Sequence, residues 1–216
     1  MTATIDAGAV LLDMDGTLVD STAVVNEIWT RWAAEHQLDA DDVLAICHGR
    51  QGYETMAILL PDRPHEDNLT ENAAMLAAET DNVEGIIAIP GAGEFLAALR
   101  DVPHALVTSA DTTLATVRML AAGLPLPDLS ITAEMVSRSK PHPEGFLKAA
   151  ADLGVDRADC VVFEDSGAGI EAGRAAGMTV VGVGAAAAGH DPDHHLIDLA
   201  SVTVTTADGR ARISLG

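Results

Sequence analysis

The most informative part of the sequence is Ala9-Val10-Leu11-Leu12-Asp13-Met14-Asp15-Gly16-Thr17, close to its start. A short apolar run of this kind predicts a strand that is buried on both faces of a sheet. Two aspartates two positions apart follow the run, and they would raise each other's pKa unless a cation lay between them. Gly16 then allows the chain to turn sharply. By itself, the pattern fits a functional strand end and a solvated acidic turn about equally well.

Other apolar runs of the same character follow farther along the chain, and helical patterns separate them. The runs lie at 105–107, 160–163 and 179–183, with helical patterns at about 111–122, 143–153 and 166–176. Strands that alternate with helices predict an α/β fold, here a Rossmann-like parallel sheet wound with right-handed crossovers. In such a sheet, binding sites form at the carboxyl ends of the strands.

The segment of residues 20–82 breaks this alternation, because it has helical patterns and no convincing strand. We therefore predict two domains, a core formed by residues 1–19 and 83–216 and a helical insertion formed by residues 20–82. The insertion holds thirteen acidic residues and few cations. Its fixed cations are Arg31, Arg50 and Arg63.

Polar side chains follow the other predicted strands as well. Thr108-Ser109 would hold anionic oxygens beside a helix N-terminus. Lys140 lies in a loop just before a helix, and Glu164-Asp165 adds two carboxylates. Because the carboxyl ends of parallel strands meet at one edge, these groups together predict a site for a hard cation and a phosphate group.

The net charge of the chain is −21, from 33 acidic and 12 basic residues. This balance excludes a general nucleic-acid binder, which needs a basic surface to neutralise phosphates. A small phosphorylated substrate would also be repelled unless its site carried cations. The chain has two lysines, Lys140 and Lys148. The position of Lys140 beside the predicted site therefore supports a role for it as the cation that such a substrate needs.

Nothing in the sequence predicts a membrane segment or a disulfide-rich extracellular protein. The apolar runs are much shorter than the ~20 residues that a membrane span needs, and the N-terminus lacks the basic region of a signal peptide. Cys47 and Cys160 are far apart, which favours a reducing compartment. We therefore expect a cytoplasmic protein with no membrane partner. The sequence leaves the oligomeric state open, and a monomer is compatible with it.

The four strand-end motifs together resemble the haloacid dehalogenase-like (HAD) hydrolase superfamily, and within it the C1-capped phosphatases of glycerol phosphate, 2-deoxyglucose 6-phosphate and related sugar and polyol phosphates. The motifs are residues 11–21 (LLDMDGTLVDS), 107–109 (VTS), 139–146 (SKPHPEGF) and 162–170 (VFEDSGAGI). The insertion at 20–82 is similar to the small helical cap, termed C1, of that superfamily. The resemblance implies a phosphoric monoester hydrolase that acts on a small phosphorylated metabolite.

The resemblance also implies roles for residues of the core. Asp13 would be the nucleophile that forms an aspartyl-phosphate, and Asp15 would be the general acid and then the general base. Thr108 and Lys140 would bind the phosphoryl oxygens, and Ser109 would add a backbone or hydroxyl contact.

A Mg²⁺ cofactor is implied by the same resemblance. Asp13, Asp165 and the main-chain carbonyl of Asp15 would hold the ion, and Glu164 would act directly or through a water molecule. Oxygen atoms of this kind are the ligands that Mg²⁺ prefers, and the ion would offset the repulsion between the nucleophile and the phosphate.

Substrate choice is expected to lie in the insertion, at Cys47-His48-Gly49-Arg50-Gln51. This loop resembles the substrate-facing loop of the glycerol-phosphate and deoxyglucose-phosphate phosphatases, which implies that His48, Gly49 and Arg50 face the substrate. The simpler alternative is a helix that ends at a glycine. A β-phosphoglucomutase-like mutase shares the four motifs and is the alternative function, although Val25 and Gly52 stand where that family has a histidine and an arginine.

Two further groups of side chains have simpler interpretations than ligand binding. Trp29 and Trp32 lie on one helix face, which favours packing inside the insertion. His190, His194 and His195 lie in an Asp-rich segment, for which we predict a surface turn that enters a short helix.

Overall fold

The computed structural model describes residues 3–216. The strands are β1 (Ala3–Ala7), β2 (Ala9–Leu12), β3 (Val19–Asp20), β4 (Ile87–Ala88), β5 (His104–Val107), β6 (Ser130–Ile131), β7 (Cys160–Glu164), β8 (Thr179–Val183), β9 (His194–Leu196), β10 (Thr203–Ala207) and β11 (Arg210–Leu215). The α-helices are α1 (Thr22–Glu35), α2 (Ala40–Cys47), α3 (Gly52–Leu59), α4 (His65–Asp81), α5 (Ala92–Ala98), α6 (Thr112–Ala121), α7 (Glu144–Leu153), α8 (Gly167–Ala176) and α9 (Gly184–Ala187).

The central sheet has six parallel strands in the order β6-β5-β2-β7-β8-β9. Apolar cores cover both of its faces. One contains Phe95 of α5 and Leu114 of α6, and the other contains Phe146 of α7 and Ile170 of α8. Strands buried on both faces need continuous apolar runs, and all four residues of β2 are buried. The predicted parallel α/β fold is confirmed.

Two helices begin a few residues after the strand ends, and polar side chains define where they start. The Asp111 carboxylate accepts from the backbone N–H of Leu114 at 2.8 Å, which caps α6. The Ser166 hydroxyl accepts from the N–H of Gly169 at 3.1 Å, which caps α8. Caps of this kind satisfy donors that the first helical turn leaves free, so the loops at the carboxyl edge of the sheet are short and well defined.

A second, antiparallel sheet in the order β1-β11-β10 joins the two ends of the described chain. The sequence patterns did not predict this sheet. The first strand alternates half-buried and exposed side chains and pairs with residues about two hundred positions away, for example Ile5 with Ile213. The local sequence therefore held no sign of its partner.

The prediction for the histidine segment was wrong in its secondary structure. Residues 194–196 do not enter a helix, because they form β9, which pairs with β8 and adds an edge strand to the central sheet. His195 accordingly contacts the carbonyl oxygen of Gly184 at 2.8 Å. His190 ends a short 3₁₀ turn that follows α9.

Helices α1–α4 lie between β3 and β4 in the sequence, and these two strands pair with each other in an antiparallel ribbon. The four helices have an apolar core of their own, which includes Trp29, Trp32, Val43 and Met56. The two tryptophan rings are 5.4 Å apart, edge to face, so their predicted packing role is confirmed. Within residues 3–216, no helix combines the length and the apolar character that crossing a lipid bilayer requires.

Candidate active site

The carboxyl edge of the central sheet carries a buried network of opposite charges. Asp13 directly follows β2, Glu164 ends β7, and Lys140 reaches both of them from the loop before α7. The Lys140 Nζ atom donates to Asp13 Oδ1 at 2.5 Å, to Glu164 Oε1 at 2.7 Å and to the Val107 carbonyl oxygen at 2.9 Å. Lys140 is only 5% exposed. Burial opposes its charge, but the carboxylates of Asp13 and Glu164 raise its pKa.

Asp13, Glu164 and Asp165 bring carboxylate oxygens within 4.8 Å of one another. Burial and the Glu164 carboxylate raise the pKa of Asp13 to about 7, against the opposing effect of Lys140. Burial, Glu164 and Asp13 likewise raise the pKa of Asp165 well above its usual range. One lysine cannot balance three carboxylates, so the ionised cluster holds two uncompensated negative charges. A divalent cation bound by hard oxygen ligands fits this donor set.

Two features hold the acidic cluster in place. Glu164 Oε2 accepts from the backbone N–H of Ser166 at 2.8 Å and from its hydroxyl at 2.9 Å. Gly16 has a φ of +81°, and a Cβ atom there would lie 2.0 Å from Asp165 Oδ2. Only glycine tolerates both that backbone conformation and that approach, which explains why a glycine follows the second aspartate.

The side chain of Asp15 turns away from this cluster. Its Oδ1 accepts from the Ser21 hydroxyl at 2.7 Å, and its Oδ2 accepts from Arg118 Nη1 at 2.8 Å. The other end of the Arg118 guanidinium donates to Glu79 Oε2 at 2.5 Å. The Asp15 carboxylate therefore raises the pKa of Asp13 only slightly, because burial and the Glu164 carboxylate are the main causes of that increase.

Arg118 is the site residue that sequence reasoning missed. It lies on α6, and only 3% of its surface is exposed. A signal for it existed, because the buried residues Leu114, Ala115, Arg118 and Met119 recur at helical spacing on one face. An arginine on an otherwise apolar helix face predicts a buried ion pair, although not its partners.

The loop between α2 and α3 lies against the carboxyl edge. The Ser109 hydroxyl donates to the Gly49 carbonyl oxygen at 2.9 Å, and the Gln51 amide donates to the Ala133 carbonyl at 3.2 Å. Gly49 has a φ of +76°, and a Cβ atom there would lie 2.0 Å from Ser166 Oγ. His48 Nε2 donates to Asn26 Oδ1 at 3.1 Å, and burial lowers the pKa of His48.

A cleft separates α1–α4 from the carboxyl edge. Asp13, Asp15 and Thr108 line it from the sheet, and His48 and Arg50 line it from the opposite side. A second cleft shares His48 and Arg50 and reaches Asp165. The structure thus brings the predicted catalytic residues and the predicted substrate loop to one place. Lys148, by contrast, makes an exposed ion pair with Asp152 on α7.

Comparison with known families agrees with this geometry. A family model described as haloacid dehalogenase-like hydrolase matches residues 7–177. The chain belongs to the haloacid dehalogenase-like hydrolase family. The sequence-based prediction of this family is therefore confirmed, and the matched range covers all four motifs.

The HAD-like hydrolase is also similar to named enzymes. It is 39% identical over 200 residues to hexitol phosphatase A of Escherichia coli (strain K12), a match that covers 90% of this chain and 93% of that protein. It is 32% identical over 186 residues to glycerol-1-phosphate phosphohydrolase 2 of Saccharomyces cerevisiae, covering 81% and 74% of the two chains. These relatives belong to the phosphatase subgroup that the sequence resembles.

Among solved structures, a β-phosphoglucomutase of Clostridium difficile superposes on the HAD-like hydrolase with a TM-score of 0.78. The match covers 90% of this chain and 92% of that one, at 20% sequence identity. At this identity the likeness shows a shared fold and carries no argument about the reaction.

Proposed function

We propose that this hydrolase is a Mg²⁺-dependent phosphatase of small sugar or polyol phosphates. The observation that carries the proposal is the buried Asp13–Lys140 pair beside Glu164 and Asp165, with Asp13 lining a cleft that His48, Gly49 and Arg50 line from the opposite side. The names of the relatives support it, since one is a hexitol phosphatase and another acts on glycerol 1-phosphate.

The acidic cluster fits a magnesium ion by its charge and by its oxygen donors. The carboxylates of Asp13 and Asp165 and the main-chain carbonyl of Asp15 would hold Mg²⁺, with Glu164 acting directly or through a water molecule. When bound, the ion supplies positive charge that lets a phosphate dianion approach an acidic site. This need is acute in a chain with a net charge of −21.

In the proposed reaction, an Asp13 oxygen attacks phosphorus while the bond from phosphorus to the leaving oxygen breaks. Asp15 gives a proton to that oxygen, which leaves as the free hydroxyl of the sugar or polyol. Asp15 then takes a proton from water, whose oxygen attacks phosphorus while the bond from phosphorus to the Asp13 oxygen breaks. Inorganic phosphate leaves, and the Asp13 carboxylate is restored. Thr108, Ser109 and Lys140 bind the phosphoryl oxygens. The Ser109 backbone serves this role, because its hydroxyl already donates to Gly49.

We further propose that residues 20–82 act as a cap over a core formed by residues 1–19 and 83–216. Support comes from the separate apolar core of α1–α4 and from the β3–β4 ribbon that connects the two parts. A covered cleft admits a small metabolite and excludes a macromolecular phosphate. His48, Gly49 and Arg50 of the cap face the leaving group.

The first test is a phosphate-release assay across C2 to C6 sugar and polyol phosphates. Activity should fall by at least about 100-fold after chelation with EDTA and return when Mg²⁺ is added, because the carboxylate cluster alone repels phosphate. Free inorganic phosphate as the product supports hydrolysis. Transfer of the phosphate to another hydroxyl of the sugar would support the mutase alternative, and no reaction of either kind would contradict the proposal.

Arg50 is expected to bind the hydroxyl-rich leaving group. Replacing it by methionine should raise KM for the best substrate of the screen about tenfold, as expected when a charge-assisted hydrogen bond is lost, while kcat changes less. Steady-state kinetics measure both constants. Arg31→Met is the matched control, because Arg31 is exposed on α1 and pairs with Glu27. An unchanged KM in Arg50→Met would remove Arg50 from the substrate site.

A further inference from the structure

A chain of three charged groups connects the cap to the proposed general acid, and two of them, Glu79 and Arg118, are buried while Asp15 is half-buried. Arg118 Nη1 donates to Asp15 Oδ2 at 2.8 Å, and Arg118 Nη2 donates to Glu79 Oε2 at 2.5 Å. Arg118 comes from α6 of the core, whereas Glu79 comes from the last turn of α4 in the cap. Only one guanidinium serves both carboxylates, and burial raises the pKa of Glu79 against the opposing effect of Arg118.

The arrangement fixes the orientation of the Asp15 carboxyl group. Ser21 occupies one of its oxygens and Arg118 the other, so the group cannot rotate without breaking a hydrogen bond. A carboxylate offers about four lone-pair sites, and each oxygen therefore retains capacity for a further partner. Asp15, Glu79 and Arg118 all line the same cleft as Asp13 and Thr108, so the oriented residue borders the proposed substrate site.

Stability alone is a weak explanation for this arrangement. A buried ion pair adds little over apolar residues of the same volume, because removing its charges from water costs about as much as their attraction returns. Rigid support of a reacting group is a stronger reason for the protein to keep the Asp15–Arg118–Glu79 arrangement, since small displacements of a catalytic group reduce the reaction rate strongly.

We propose that Arg118 is a positioning residue that holds Asp15 in place for proton transfer, and that Glu79 fixes Arg118 from the cap. Proton donation to the leaving group is then available when α4 is seated on the core. This inference rests on the proposed role of Asp15. It adds Arg118 on the core side of the cleft and Glu79 on the cap side. These two residues link the position of the cap to proton transfer by Asp15.

The test compares two substrates that differ in their need for a general acid. Glycerol 3-phosphate releases a poor leaving group that must be protonated, whereas p-nitrophenyl phosphate releases a stable phenolate. The ratio of their kcat/KM values reports the first chemical step. Arg118→Met combined with Glu79→Gln avoids leaving Glu79 as an unpaired buried charge, and it should lower kcat/KM for glycerol 3-phosphate about tenfold or more. The value for p-nitrophenyl phosphate should change much less.

Three further variants make the result decisive. Asp15→Asn should shift the ratio in the same direction and by more, and Arg118→Lys should recover part of the loss. Arg100→Met is the control, because Arg100 is exposed and donates to the Ala97 carbonyl, away from the site. The ratio for this variant should equal that of the unmodified enzyme.

Several outcomes would overturn the inference. If the double variant loses activity equally on both substrates, or only raises KM, Arg118 has a structural or substrate-binding role. If Asp15→Asn shifts the ratio and the double variant does not, the proposed function stands, but the positioning of Asp15 by Arg118 and Glu79 is contradicted. If Asp15→Asn leaves the ratio unchanged, the general-acid role and the inference fail together.

Discussion

Asp13→Asn is expected to reduce kcat by at least about 10⁴-fold, as replacement of a nucleophile does in other enzymes that form covalent intermediates. The amide of asparagine cannot form the acyl phosphate, so binding interactions alone would be left. The fold should be preserved, because the amide oxygen can still accept from Lys140 and one negative charge leaves a crowded cluster. Phosphate release under saturating substrate measures the rate, and circular dichroism with thermal melting measures the fold.

Asp128→Asn is the matched control for Asp13→Asn. Asp128 is exposed in the loop before β6, so the same change of chemistry there should leave both rate and melting temperature unchanged. An Asp13→Asn enzyme that kept more than about a thousandth of the original kcat would contradict the assignment of Asp13, since general electrostatic effects alone account for losses of ~10²–10³.

Lys140→Met is expected to damage both activity and stability. Removing the ammonium leaves the Asp13 and Glu164 carboxylates buried without their shared partner. Loss of one partner of a buried ion pair typically costs about 3–5 kcal/mol. For a chain of this size, that cost corresponds to a fall in melting temperature of roughly 6–20 °C. Calorimetry on the metal-free protein checks the stability, and the phosphate-release assay should show a loss of about 10³-fold.

Lys148→Met provides the control for this prediction, because Lys148 is the other lysine of the chain. Its ion pair with Asp152 is exposed on α7, and such pairs contribute at most about 1 kcal/mol. Lys148→Met should therefore keep full activity and nearly the same melting temperature. Equal behaviour of the two lysine variants would show that the buried pairs of Lys140 matter neither to the fold nor to the chemistry.

The core of the site could be anticipated because its residues follow directly from local patterns. The runs before Asp13 and Thr108, and the run that precedes Glu164, are apolar over three or four residues, and such runs fold as central strands. Parallel strands end at one edge. The side chains that follow them must therefore meet, even though they are far apart in the sequence, and the Asp13–Lys140–Glu164 network is the result.

The surroundings of Asp15 could not be anticipated in the same way. Its partner Arg118 is 103 positions away, and Glu79 is 39 positions from Arg118. Their meeting depends on how α4 of the insertion packs against α6 of the core. Helical periodicity identifies the buried face of each helix, but it does not identify the helix that this face meets.

The two ends of the chain illustrate the same limit. The pairing of β1 with β11 and the strand character of β9 depend on partners that no local pattern names. The amino-acid sequence on its own thus determined the parallel sheet, the carboxyl-edge residues and the family. The orientation of Asp15, the contacts of the 48–51 loop and the sheet at the termini arise only in the folded chain. Hydrophobic periodicity acts over neighbouring residues, whereas these contacts require packing between segments that the sequence keeps apart.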